Sequence, residues 1–210
     1  MKTLCAFLLL LFTPLAFAKH HPPAPVIVCF GDSLTAGYGA PSGDSYPDYL
    51  EQILDARGYR YHIVNMGVSG DTTADGVARL PKVLAAHPAI VIVEFGGNDA
   101  GDGVPINTTR ANFVTIISTL QKAGITVTLV GIKLPDRPNA DYEQAFGQTY
   151  TLAAKIFQVL LLPNLFIHLY NVPNAFQPDG VHGTPKGNRI MAEDVYSLIQ
   201  PLLQKHKKHN

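Results

Sequence analysis

The chain has no tryptophan, only two cysteines and no net charge, with 16 Lys and Arg set against 16 Asp and Glu among 210 residues. A charge-balanced chain has no field with which to grip a polyphosphate, which argues against nucleic-acid recognition. No repeat of fixed period runs through it, and glycine (18) and proline (16) are only modestly frequent, so solenoids and collagen-like chains are excluded. What is present, 47% hydrophobic and 15% charged residues, suits one compact domain with a sizeable core.

Long apolar runs are also lacking, save one at the start. Residues Met1 to Ala18 read as a signal peptide: Lys2, an apolar run from Leu4 to Leu11, a break at Pro14, and the small-x-small end Ala16-Phe17-Ala18. A span needs about 20 apolar residues, and Pro14 and Lys19 interrupt sooner, so no stable membrane insertion is expected. Cleavage after Ala18 would export residues 19–210 as a single domain to a periplasmic or secreted location, carrying a charge of −1 because Lys2 leaves and no acid does. Cys5 leaves too, and Cys29 alone cannot make an intramolecular disulfide. The basic, His-containing ends, Lys19-His20-His21 and 205–209, read as solvated termini.

Short β-branched runs at Val26–Phe30, Tyr61–Asn65, Ile90–Phe95, Thr126–Ile132 and Leu165–Leu169 predict five strands. Between them the apolar spacing turns helical, at about Ser45–Arg57, Thr73–Ala86, Thr108–Ala123, Asp141–Leu160 and Pro185–Lys205, the last opening on a Thr184 cap. Strict alternation of strand and helix predicts an α/β fold: a three-layer α/β/α sandwich around a five-stranded parallel sheet, because each right-handed parallel crossover must hold a helix. With the flavodoxin-like order 2-1-3-4-5, ligands sit where the winding reverses, between strands 1 and 3 at their carboxyl ends. Gly31-Asp32-Ser33-Leu34 follows strand 1 there, and Gly96-Gly97-Asn98-Asp99 follows strand 3.

A serine in the turn after strand 1 needs a base to become a nucleophile. Of the eight histidines, His62 and His168 fall inside predicted strands, His87 ends a helix, and four are near the termini. His182 differs, lying in a loop after strand 5 with Asp179 three residues upstream. One turn brings that carboxylate to the imidazole Nδ1–H and leaves Nε2 free to face a hydroxyl, which completes a Ser33, His182, Asp179 triad. Donors for a developing oxyanion are the Ser33 N–H, the Gly70 N–H in Val68-Ser69-Gly70-Asp71-Thr72, and the Asn98 amide. Each block alone could be a turn or a helix cap; it is their joint arrival at successive strand ends that carries the argument.

These four blocks resemble those of the SGNH (GDSL-type) hydrolases. With Ala78-Arg79-Leu80-Pro81 and Glu94-Phe95-Gly96-Gly97-Asn98-Asp99, the text is most similar to the bacterial periplasmic thioesterase I/lysophospholipase L1 branch, also called multifunctional esterase or arylesterase. The resemblance implies the sandwich fold, the Ser33, Asp179, His182 triad, and an oxyanion hole from Ser33, Gly70 and Asn98. One departure is Gly183, where a Pro commonly follows the family's histidine.

The expected activity is hydrolysis of carboxylic esters and thioesters, lysophospholipids among them, through an acyl-Ser33 intermediate. The alternative on the same fold is deacetylation of cell-wall sugars or hydrolysis of small aryl esters. A flavodoxin-like flavin or nucleotide module fits poorly, since Gly31–Gly39 contains neither phosphate-binding glycine motif and Asp32 stands where a phosphate would approach. A non-catalytic binding module would not need the triad. Asp32 is read as fixing its turn by local hydrogen bonds. Asp99 and Asp102 lack calcium-site spacing, so neither metal nor cofactor is expected. An apolar groove for the acyl chain is expected from the loops after strands 3 and 4, Ala100–Pro105 and Ile132–Pro135, with Val104, Ile106, Leu134 and Phe146 as its walls.

Overall fold

The computed structural model describes residues 23–134 and 140–204; the predicted signal segment, Pro135 and Lys205 lie outside the described residues. Three strands make the centre. β1 (Val26–Gly31), β3 (Ile90–Glu94) and β4 (Thr126–Val130) are nearly continuous apolar runs, buried along almost their whole length. Such runs suit parallel strands covered by helices on both faces, where period-two alternation has no solvent side to answer to. β2 (His62–Asn65) and β5 (Leu160–Leu162) form the edges, and the order is β2-β1-β3-β4-β5, all parallel. In register, Gly31 pairs with Glu94 and Glu94 with Val130, so the carboxyl ends of the central strands finish level.

On one face α2 (Tyr46–Ala56) packs against α7 (Pro185–Ile199); on the other α3 (Thr73–Ala85) packs against α5 (Ile106–Lys122), and α5 against α6 (Ala140–Phe157). The starts of these helices are written locally. Ser45 caps α2, where Asp48 answers it in a capping box, and Thr184 caps α7 ahead of Pro185. Two single-turn helices that the sequence reading treated as loop, α1 (Ser33–Ala36) and α4 (Gly97–Gly101), sit directly past β1 and β3.

The last strand was expected at Leu165–Leu169 and is instead Leu160–Leu162, paired with Thr128–Val130. α6 correspondingly stops at Phe157, not at Leu160, and Gln158 turns the chain at φ +53°. Pro163 then ends pairing along the edge. Leu165 gives its N–H to Gly131 O, and the chain coils through bonds from Ile167 to Asn164 and from Leu169 to Phe166. Leu165 and Leu169 are buried while Ile167 is exposed, so the apolar pattern that resembled a strand belongs to a series of turns. α7 ends at Ile199, and Pro201 lies in the 3₁₀ turn Gln200–Leu202 that follows it.

Backbone crowding at α7 generates a prediction of sign. A Cβ on Gly187 would lie 2.1 Å from the carbonyl oxygen of Ala175, a backbone atom with no freedom to swing away. Gly→Ala in a helix ordinarily stabilises by about 0.5–1 kcal/mol. Here Gly187→Ala should instead destabilise by about 1–3 kcal/mol, the cost of overpacking. Urea unfolding at constant m-value measures it, and a raised midpoint would contradict the close approach.

Candidate active site

Ser33 opens α1 because Asp32 caps it: Asp32 Oδ1 accepts the Leu34 N–H at 3.0 Å, and the Ala36 N–H bonds Asp32 O at 2.9 Å. This is the local role expected of Asp32. Below the turn, Thr35 is fully buried and its hydroxyl donates to Glu94 Oε2 at 2.8 Å, tying the α1 turn to the end of β3. Gly31 is required there, since a Cβ would fall 2.2 Å from Thr35 Oγ1 and 2.4 Å from Glu94 O.

The second arm is the loop between the turns after β5 and α7. Asp179 Oδ1 accepts the N–H groups of Val181 (2.9 Å) and His182 (3.0 Å), and Gly180 takes φ +71° at the apex. That folds the loop so that Asp179 Oδ2 stands 2.8 Å from His182 Nδ1, while His182 Nε2 stands 2.8 Å from Ser33 Oγ. The three side chains chosen from sequence therefore form one hydrogen-bonded chain. Gln177 was not singled out and clamps this loop to the serine side: its Nε2 donates to Tyr38 O at 2.7 Å and to Gly183 O at 2.9 Å. The loop is thus held at Gly183, the position of the departure from the family pattern. The Tyr38 ring leans on the imidazole at 4.7 Å.

Asn98 lies in α4 with its Nδ2 donating to Asp71 O at 2.8 Å and facing Asp32 Oδ2 at 3.4 Å. The second contact is long, so that N–H is weakly held and can be shared with a stronger acceptor arriving beside Ser33. Gly70 occupies the turn before Asp71 at φ +90°, with open space where a Cβ would project. Asp99 is fully buried and committed: its carboxylate accepts from the Thr73 N–H (2.8 Å), the Thr73 hydroxyl and the Thr109 hydroxyl (3.0 Å), which pins α4 to the start of α3.

A cavity of about 650 Å³ opens beside Ser33, Asn98 and His182, and much of the rest of its lining is apolar: Ile132, Leu134, Phe166, Tyr170, Phe176 and Val181. Leu134 was expected there. Val104, Ile106 and Phe146 do not line it. Phe146 is 1% exposed and packs between the rings of Tyr142 and Tyr150, while Val104 gives its N–H to Asp99 O and leads into α5. Of the aromatic side chains, Phe166 falls within the expected strand Leu165–Leu169, while Tyr170 and Phe176 follow it in a stretch for which the sequence predicts no role.

The carboxyls around the site are driven apart. Partial burial works against the Asp179 charge, but the Val181 N–H and the His182 ring and N–H outweigh it and bring the carboxyl down to about 2. Burial pushes Asp32 up to about 6, against the Leu34 hydrogen bond and the pull of His182. Burial, and then the charge of Asp32, hold Glu94 well above the usual carboxylate range.

A serine, a histidine and a carboxylate joined in this order at the carboxyl edge of a parallel sheet make the arrangement of a serine hydrolase. The protein belongs to the GDSL-like Lipase/Acylhydrolase family, whose model matches residues 29–190. It is 32% identical over 190 residues to Esterase TesA of Pseudomonas aeruginosa, covering 90% of this chain and 94% of that protein. It is 34% identical over 181 residues to Thioesterase 1/protease 1/lysophospholipase L1 of Escherichia coli K12, covering 86% of each. The crystal structure of TesA matches with a TM-score of 0.80 at 32% identity, over 85% of this chain and 99% of that one.

The raised Asp32 value fixes the sign of a pH effect. Folding favours its neutral form, so its contribution to stability is complete below the unfolded value of about 3.9 and is lost as the pH rises through about 6. Asp32→Asn keeps an acceptor for Leu34 and does not ionise. Relative to wild type, its unfolding free energy should therefore improve by on the order of 2 kcal/mol between pH 4 and pH 7. A difference that stays constant across that range would contradict the buried-carboxyl account.

Proposed function

We propose that the protein is an exported serine esterase and thioesterase working through an acyl-Ser33 intermediate. The observation that carries the reading is the His182 Nε2 to Ser33 Oγ contact of 2.8 Å, with Asp179 on the opposite ring nitrogen. His182 takes the hydroxyl proton as Ser33 Oγ attacks the carbonyl carbon. Asp179 holds the tautomer with the proton on Nδ1 and stabilises the imidazolium that forms. The carbonyl oxygen gains charge only in the tetrahedral intermediate, where the N–H groups of Ser33 and Gly70 and the Asn98 N–H that faces Asp32 meet it. Collapse expels an alcohol or thiol, protonated by His182, and leaves the acyl ester on Ser33. Water, deprotonated by the same imidazole, then releases the acid and restores the serine.

The apolar wall formed by Leu134, Phe166 and Phe176 suits the acyl side of the substrate, and each methylene buried against it is worth about 0.8 kcal/mol at most. Acyl thioesters and lysophospholipids fall within this class, and the thioesterase and lysophospholipase named in the E. coli relative support it. Export rests on residues 1–18; among the described residues no helix is long and apolar enough to cross a membrane.

Ser33→Ala should abolish turnover without unfolding the chain, and a burst of product release in that variant would sink the assignment. A series of nitrophenyl esters should show kcat/KM rising from acetyl to medium-chain acyl groups, and Leu134→Asp should flatten the rise. A preference for acetyl with no gain from longer chains would favour a deacetylase. Asn98→Ala should lower kcat by roughly 10²-fold or more with KM little changed, since its amide acts on charge present only in the transition state. An effect confined to KM would contradict that role.

A further inference from the structure

We infer that Arg79 is a positioning residue that holds the oxyanion donors in register with the nucleophile. The inference rests on the oxyanion reading given above. Arg79 lies in α3 and touches none of the cavity, yet its guanidinium joins three pieces of chain that converge on it. Nη1 donates to Met66 O at 2.8 Å, where the chain leaves β2. Nη2 donates to Gly31 O at 3.2 Å, two residues before the nucleophile. Nη2 also stands 2.5 Å from Asp71 Oδ2, off the line of its N–H bonds, so this third contact is an ion pair more than a hydrogen bond. Both partners are mostly shielded, with side chains 20% and 14% exposed. The guanidinium lies 4.8 Å from the centre of the Phe30 ring and 6.0 Å from that of Phe95.

Asp71 is the joint on which the inference turns. Its own carbonyl accepts the Asn98 Nδ2 hydrogen at 2.8 Å, and the residue before it is Gly70. Two of the three proposed donors therefore depend on where Asp71 sits, and Arg79 fixes Asp71 against Gly31 of the strand that presents Ser33. The Val68 N–H bond to Gly31 O, 3.1 Å, reinforces the same junction. Gly70 has positive φ, and among the described residues nothing packs in the space a Cβ would occupy, so no contact there restrains the turn if the ion pair is lost. A planar fork reaching two carbonyls and a carboxylate has no equivalent in the point charge of lysine. A shift of a fraction of an ångström in the donors is felt in the transition state and hardly in substrate binding.

The test is a mutant cycle on a nitrophenyl ester with Arg79→Met, Arg79→Lys, Asn98→Ala and the Arg79→Met/Asn98→Ala double variant, each checked for fold by circular dichroism. Arg79→Met should lower kcat by roughly 10- to 100-fold with KM within about threefold, and Arg79→Lys should recover only part of it. In the Asn98→Ala background the same change should cost a clearly smaller factor, because one of the two donors it places is already gone and only the Gly70 N–H still depends on it. A folded Arg79→Met with unchanged kcat, a loss confined to KM, or the same factor in both backgrounds would overturn the inference while leaving Asn98 in place. Unchanged kcat in Asn98→Ala would refute the oxyanion reading itself. Should Arg79→Met fail to fold, Arg79→Lys and Asp71→Asn, each combined with Asn98→Ala, decide by the same comparison.

Discussion

The hydrogen bond between Ser33 Oγ and His182 Nε2 joins residues 149 apart in the chain, and it exists only because two loops with no sequence proximity are delivered to one point. The parallel sheet makes that delivery possible. β1 and β3 are neighbours that finish level at Gly31 and Glu94, so the turns after them, carrying Ser33 and Asn98, emerge side by side. α7 brings the histidine loop to the same edge, and Gln177 bridges it to Tyr38 O across the gap. Loss of the register between β1 and β3 would separate the nucleophile from Asn98 even with every side chain intact.

Assembling the site sets carboxyl groups in places that disfavour their charge. Asp32 and Glu94 are both buried and both held toward the neutral form, Glu94 further by the charge of Asp32, and Asp32 by those of Asp99 and Asp71. Asp99, buried as deeply, is met by a backbone N–H and two hydroxyls. Asp179 differs: it is the most exposed of the four, its oxygens accept two N–H groups and face an imidazole, and it remains ionised through the neutral range. The environments thus separate one carboxylate fit to pair with imidazolium from three that brace the turns around it.

Much of this was legible in the sequence, for a physical reason. The strands β1, β3 and β4 are buried on both faces and read as continuous apolar runs, while helix starts such as Ser45 and Thr184 announce themselves by capping chemistry. The Ser33, Asp179 and His182 positions could be found because each lies in a short loop of unusual composition at a strand end. β5 could not: a three-residue edge strand has too little pattern, and the turns at 165–169 imitate it with buried Leu165 and Leu169. That misreading hid Phe166, and Tyr170 and Phe176 lie just beyond it in turns whose side-chain direction no periodic pattern announces. The parts played by Arg79 and Gln177 were illegible for another reason, since they act on backbone carbonyls and a chain sequence does not say which carbonyls will come near.

The central claim is that acyl transfer passes through Ser33 oxygen. Rapid quenching of the enzyme with a slowly deacylating nitrophenyl ester, followed by peptide mass spectrometry, measures this directly. The account predicts the mass of the acyl group on the peptide containing Ser33, at a level matching the burst of nitrophenol released. Release of nitrophenol with no acyl mass on that peptide, or with the mass on another residue, would contradict it.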